Sequence, residues 1–172
     1  GGFGALGDMA ASIVRPQVDA EILVLAFREA WRTVAYAVAG LTVALFIGFP
    51  IGVMGSGVVA GSSLARVFNI GPARLVLAAM RSVHELVWAW LFVAAFGLSP
   101  MAAVLAIGIP YGGILGRIYA ESLQDVPDAP LRALRSSGAN GWRVLFYGRL
   151  PMVGPDILSY TFYRLECGIR AA

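Results

Sequence analysis

The chain has 172 residues, of which 59% are hydrophobic and 13% charged, with a net charge of +3. An ordinary soluble domain is roughly a quarter charged, so the composition excludes most soluble classes and reads first as a membrane protein. All thirteen basic residues are arginine, and without lysine the phosphate-binding loop that ends in Gly-Lys-Ser/Thr cannot be built.

If the protein uses nucleotide energy, another chain therefore supplies the hydrolysis. One cysteine, Cys167, and one histidine, His84, rule out an internal disulfide and argue against a zinc site. The arginines flank apolar runs, a pattern of membrane spans rather than of a nucleic-acid surface. The chain starts at glycine and stops just after a charged, half-finished apolar segment. It is expected to be a fragment truncated at both ends, so no argument about a signal peptide is available.

Residues 1–19 are Gly-rich and then polar, and read as a loop. From Ala20 to Arg32 the apolar residues Ile22, Leu23, Ala26, Phe27 and Ala30 recur at helical spacing, interrupted by Glu21, Arg28, Glu29 and Arg32. Two readings stay open. The segment is a helix lying at the membrane interface with Trp31 at headgroup level, or it is the first turns of the next span.

Thr33 to Ala65 carries no charge, and Gly55-Ser56-Gly57 is its natural break, so the first span is about Val34–Met54. Gly48 and Gly52 form a flat strip that another helix can approach closely, which serves packing. The next uncharged run, Leu86 to Gly116, is too long for one helix and holds Gly97-Leu98-Ser99-Pro100 in its middle. It predicts a helical hairpin with a first arm of about Ala73–Phe96 and a second of about Pro100–Tyr119. Gly108, Gly112 and Gly116 recur at four-residue steps on the second arm, and Pro110 predicts a kink there.

Arg117, Arg132, Arg135, Arg143 and Arg149 follow the hairpin, whereas its tip has no arginine. The positive-inside rule then places the 120–151 loop in the cytoplasm and the tip outside. Counting back, Arg66 and Arg74 are cytoplasmic and residues 1–32 external. The resulting organisation is an external loop and interfacial helix over 1–32, followed by a transmembrane domain over 33–172.

The loop from Glu121 to Pro151 is the one long polar stretch. Glu121–Asp125 continues the preceding helix, which ends before Pro127. Asp128 is expected to cap a short helix with Pro130 in its first turn. Leu131, Ala133 and Leu134 give that helix an apolar edge, and Arg132 and Arg135 a basic one. Gly138 stands where a helix stops on a left-handed residue. Asn140 can cap a second short helix whose Trp142, Leu145 and Phe146 share a face, and Pro151 then opens the final span. Such capped amphipathic helices either lie in a partner's groove or pack against the protein's own helix ends; the pattern favours docking.

This loop resembles the signature of the inner-membrane permease subunits of ATP-binding-cassette (ABC) importers: Glu-Ala-Ala, three residues, Gly, nine residues, Ile-x-Leu-Pro. Ala133, Gly138, Leu150 and Pro151 fall on the pattern, while Arg132, Leu134 and Gly148 replace its glutamate, second alanine and isoleucine. A narrower resemblance, to phosphonate permeases, covers roughly residues 30–172. It rests on Arg81-Ser-Val-His-Glu-Leu-Val-Trp-Ala, with His84 where that family has proline, and on Ser159-Tyr-Thr-Phe-Tyr-Arg-Leu-Glu-Cys-Gly-Ile-Arg-Ala.

The resemblance implies an all-α, polytopic helix bundle of the ABC importer permease type. It implies a permease homodimer in membrane lipid, a cytosolic ABC ATPase dimer that binds ATP and Mg, and an external substrate-binding protein. No cofactor is expected in this chain, nor any nucleic acid partner. The implied cargo is a phosphonate, with phosphite, hypophosphite or phosphate as near neighbours, or a different small solute. The implied contact with the ATPase runs through Ala133, Leu134, Gly138, Trp142, Leu150 and Pro151.

Charges near membrane depth are functional candidates. Arg81, His84, Glu85, Arg164, Glu166 and Arg170 are candidates for a pathway or for ion pairs, with Arg81–Glu85 and Glu166–Arg170 spaced i, i+4. Two rival classes are weighed. An intramembrane serine hydrolase would have to use Ser56 and His84; a passive channel or membrane scaffold would explain the glycine strips but not the capped cytoplasmic helices.

Overall fold

The structure, a computed structural model, describes residues 19–60 and 63–171. The loop expected over residues 1–19 lies, apart from Asp19, outside them. All regular elements among the described residues are helical. They are α1 (Ala20–Ser56), α2 (Ser63–Ser82), α3 (Glu85–Phe96), α4 (Pro100–Gln124), α5 (Asp128–Ser136), α6 (Gly141–Arg143), a π-helical segment (Val144–Arg149) and α7 (Leu150–Ala171). The chain divides into two compact units, one up to Val34 and one from Ala35. In the first, the α1 backbone is helical from Ala20, Arg32 pairs with Glu29 at 2.9 Å, and Trp31 is exposed.

In the second unit α1 ends at Ser56, followed by Gly57 at φ 66°, a value that favours glycine. Ser56 closes this end: its buried hydroxyl donates to the Val53 carbonyl at 2.6 Å and accepts from the Val58 N–H at 3.3 Å. The expected break at Gly55-Ser56-Gly57 is therefore where the helix stops.

The first hairpin arm is not one helix, which corrects the expected span Ala73–Phe96. α2 ends at Ser82, α3 begins at Glu85, and the two are bent by 86°. The cause is His84, held extended at φ −62°, ψ 144°, whose side chain accepts the Leu86 N–H at 3.3 Å and so starts a new helix. Proline would impose the same φ, so the histidine keeps that backbone and adds a cap. The hairpin tip forms as expected, with Gly97 at φ 70° and the Ser99 hydroxyl accepting the Ala102 N–H at 3.3 Å. Among the described residues α1 and α4 are long and apolar enough to cross a membrane, and the bent pair α2–α3 makes a third if it counts as one span.

α4 is the hub. Its Gly112 and Gly116 lie against Gly48 and Gly52 of α1 so closely that backbone meets backbone. A Cβ on Gly48 would stand 2.5 Å from the Gly112 carbonyl oxygen, and one on Gly52 2.6 Å from that of Gly116. Gly113 gives α2 the same access, where a Cβ would stand 2.7 Å from Met80 Cβ and 2.9 Å from the Leu77 carbonyl oxygen. α3 and α7 also pack on α4.

Fully buried Tyr119 ties α4 to α7. Because Thr161 gives its hydroxyl hydrogen to the Ile157 carbonyl, Tyr119 is the donor in their 2.5 Å contact. A methyl group at Gly48 must push two backbones apart, so Gly48→Ala is expected to destabilise by about 1–3 kcal/mol. Gly154→Ala, where nothing lies within 4 Å, should be neutral or stabilising by up to about 1 kcal/mol through helix propensity. Thermal unfolding of the two variants in detergent checks the contrast.

Candidate functional site

The segment between α4 and α7 builds onto the joined ends of α1, α2 and α4. Arg74 of α2 donates to the Gly55 carbonyl at 3.3 Å and to the Gln124 side chain at 3.0 Å, and Gln124 donates to the Ser56 carbonyl at 2.9 Å. These bonds bring Arg74, the end of α1 and the start of the 120–151 segment together.

α5 starts after Pro127 without a side-chain cap. This corrects the role expected of Asp128, which is the first helical residue rather than the residue before it; its carboxylate sits in the first turn, where the helix dipole favours negative charge. Leu131 is fully buried in a core with Val53, Leu123, Val126, Val144, Leu145 and Val153. Leu134 is half-buried against Gly148, where a Cβ would meet Leu134 Cδ1 at 2.9 Å and Leu131 Cδ2 at 3.0 Å. The leucine edge of α5 thus faces the protein itself, and Arg132, Ala133 and Arg135 are exposed.

α5 ends as the sequence predicts. Gly138 has φ 85°, its N–H donates to the Arg135 carbonyl at 3.0 Å, and the Ala139 N–H donates to the Leu134 carbonyl at 3.2 Å. This pair of bonds is the Schellman stop. Asn140 caps the next helix, accepting the Arg143 N–H at 2.9 Å.

That second helix is not a separate short element, and Pro151, the second residue of α7, follows a turn that is already helical. Helix runs from Gly141 through the π turn Val144–Arg149 into α7. A proline inside an α-helix presses on the carbonyl four residues back; the widened turn before Pro151 makes room for it. Trp142, Leu145 and Phe146 do not share a face either. Trp142 and Phe146 stack with ring centres 6.2 Å apart and are exposed, whereas Leu145 is buried, since one residue step turns a helix by about 100°. Leu150 is half-buried and Pro151 exposed.

Arg149 is a site residue that sequence reasoning used only as a charge marker. Its guanidinium is buried and donates to the Leu123 carbonyl in the last turn of α4, while its Nε has no partner. The positive charge there complements the carboxyl end of the α4 dipole. Burial lowers its pKa from the usual arginine value, with nearby Arg135 adding to the effect and Asp128 opposing it; arginine nevertheless stays charged. A charge two residues before proline in an otherwise apolar run was the signal available.

The six charged candidates do not converge. Arg81 and Glu85 form no ion pair, which corrects the expected i, i+4 contact, because the break at Val83-His84 takes them out of helical register. His84 is the cap of α3. Arg164 of α7 lies over the Tyr111 ring at 5.3 Å and the Tyr163 ring at 6.0 Å. Glu166 and Arg170 do pair, on an exposed face. Ser56 is engaged by its own helix end and His84 by Leu86, so the pair lacks the serine–base hydrogen bond a hydrolase needs. Among the described residues no three His, Cys, Asp or Glu side chains gather where a metal ion could be held.

The fold is that of an ABC transporter permease. An inward-facing structure of the MetNI methionine ABC transporter superposes with a TM-score of 0.79 over 90% of this chain and 74% of that chain, at 18% identity. The chain's homologues are permeases of phosphite, phosphonate and phosphate transport systems. It is 34% identical over 140 residues to the phosphite transport system permease protein PtxC of Stutzerimonas stutzeri, covering 81% of this chain and 50% of that protein. It is 31% identical over 154 residues to the putative phosphite transport system permease protein HtxC of the same organism, covering 90% and 53%. It is 30% identical over 160 residues to the phosphate-import permease protein PhnE of Mycolicibacterium smegmatis, covering 93% and 29%. The chain thus spans about half the length, or less, of these curated relatives. No family model matches it.

Two expectations follow. Arg149→Ala leaves the Leu123 carbonyl without its donor and should lower stability by about 1–3 kcal/mol, read as a lower melting temperature in detergent. His84→Pro keeps the backbone angle and loses only the side-chain cap, so it should stay within about 1–2 kcal/mol of the parent in the same assay.

Proposed function

We propose that the chain is the permease subunit of an ATP-driven ABC importer and forms part of the transmembrane pathway for a phosphonate or related phosphorus oxyanion. The observation that carries this reading is the likeness to a phosphite transport system permease protein over 81% of the chain. In this reading the protein lies in the bacterial inner membrane as a homodimer, with the 120–151 segment in the cytoplasm. ATP and Mg are bound by a dimer of cytosolic ATPase subunits, and an external binding protein delivers the ligand. The chain itself needs no cofactor.

The mechanism follows from how α5 is held. ATP binding draws the two ATPase subunits together, and α5 with the Trp142–Phe146 face moves with them. Leu131 and Leu134 pass that displacement to the π segment through Gly148, and Arg149 passes it to the end of α4. A packed helix conveys such a push where a loose loop would absorb it. Ala133, Gly138 and Trp142 are the exposed residues assigned to the ATPase contact; Leu134, Leu150 and Pro151 connect it to α7.

Gly138→Asp separates coupling from folding. Nothing lies within 4 Å of the added atom, and the φ of 85° costs an L-residue roughly 1–2 kcal/mol. The assembled variant in vesicles is expected to hydrolyse ATP but to import phosphite or methylphosphonate far more slowly than the parent. Uptake and assembly equal to the parent's would overturn the coupling role. Failure of the parent to import any phosphorus oxyanion with its ATPase and binding protein present would overturn the cargo.

A further inference from the structure

The hydrophobic wall between α2 and α4 opens into a cleft of about 300 Å3 whose polar lining is Arg74, Arg81, Arg117 and Glu121, with Leu77 and Ala120 as its apolar floor. Arg74 and Arg81 are seven residues apart, two turns of one helix, and so lie on one face of α2 about 10 Å apart along its axis. Arg117 and Glu121 stand on α4. The two helices touch at Gly113, where a Cβ would be 3.1 Å from the Arg81 backbone nitrogen, so Arg81 sits where they converge and Arg74 where their ends meet α1.

The cleft holds three positive charges against one negative. Glu121 is engaged by Arg117 Nε at 2.7 Å, which leaves the other Arg117 donors unused. Arg74 spends Nε and one terminal nitrogen on Gly55 and Gln124 and keeps the other. Among the described residues Arg81 makes no side-chain hydrogen bond and no ion pair, though a guanidinium has five donors.

Arg74, Arg81, Arg117 and Glu121 are exposed along the cleft, and a cleft lined by an excess of one sign of charge draws counter-ions toward it. The fork of a guanidinium matches two oxygens of a tetrahedral anion. We infer that this cleft binds a tetrahedral phosphorus oxyanion, with Arg81 as its principal ligand and Arg74 and Arg117 flanking it. Two sources offer that chemistry. One is a free phosphite- or phosphate-type ion, an arm that rests on the proposed function; the other is the phosphate of an anionic phospholipid, which does not.

The test uses the full-length permease in lipid nanodiscs. In discs of phosphatidylcholine alone, equilibrium dialysis with labelled inorganic phosphate and phosphite measures the free-ion arm. In discs that also contain phosphatidylglycerol, native mass spectrometry counts retained phosphatidylglycerol. Arg81→Gln is expected to weaken one of these by about tenfold, the effect of one charged hydrogen bond, while Arg81→Lys keeps most of it and Arg28→Gln, outside the cleft, keeps all of it. Arg117→Gln repeats the test from the other wall if α2 does not tolerate Arg81→Gln.

Loss of ion binding in phosphatidylcholine assigns the cleft to the free ion; loss of retained phosphatidylglycerol alone assigns it to lipid. The inference is overturned if the parent binds neither, or if the cleft variants bind both as the parent does. Parent uptake of phosphite alongside such unchanged variants would remove the cleft and leave the proposed function standing. Absent uptake with retained phosphatidylglycerol lost in Arg81→Gln would do the reverse.

Discussion

The contact on which the rest depends is the meeting of two backbones. In a bilayer the lipid tails are as apolar as the helix surfaces, so helices associate by close packing rather than by escape from water. Gly48 and Gly52 of α1 against Gly112 and Gly116 of α4 bring the helices near enough for each helix's carbonyls to touch the other's main chain. Gly113, one position round, admits α2 to the same helix. α4 therefore holds its neighbours with surfaces that have almost no side chain to yield, and small displacements of one helix are felt by the others.

The polar end is an extension of that arrangement. Val53 of α1 and Leu123 of α4 share a core with Leu131 of α5, Val144 and Leu145 of the π segment, and Val153 of α7. Hydrogen bonds from Arg74, Gln124 and Arg149 close the helix ends around it. The segment that first reads as a polar interruption is thus anchored by its leucines and by buried Arg149, while Arg132, Arg135, Arg143 and the stacked aromatics face outward. In the proposed transporter this is the property a transmitting element needs: one face fixed to the moving helices and another free for a partner.

What could be read in advance was whatever a few neighbouring residues decide. The stop at Gly138, the cap at Asn140, the tip at Gly97 and Ser99 and the break after Ser56 each depend on local backbone angles and nearby donors. The glycine steps in α1 and α4 also announced themselves, because spacing alone puts them on one face. The break at His84 did not. Histidine carries no strong signal for a helix boundary, and the need for length in an apolar span pulled Ala73 to Phe96 into one element.

Asp128 missed its expected place by one residue, a shift too small for spacing to resolve. Arg149 was counted only among the arginines that set the orientation, since its acceptor lies 26 residues earlier on another helix. The direction of the leucine edge of α5 likewise depended on Gly148, a contact that no run of neighbours discloses.

The π segment can be viewed as an α-helix with one residue too many. Each extra residue rotates everything downstream by about 100° relative to what precedes it. Here it carries Phe146 and lies between the outward Trp142 and the α7 residues Thr161 and Arg164 that face α4. Removing one residue from Val144–Arg149 would bring the two halves into ordinary helical phase, and either the aromatic pair would swing away from its present face or Thr161 would leave Tyr119. A single-codon deletion or insertion in this stretch would therefore turn the exposed aromatics relative to the face of α7 that packs on α4.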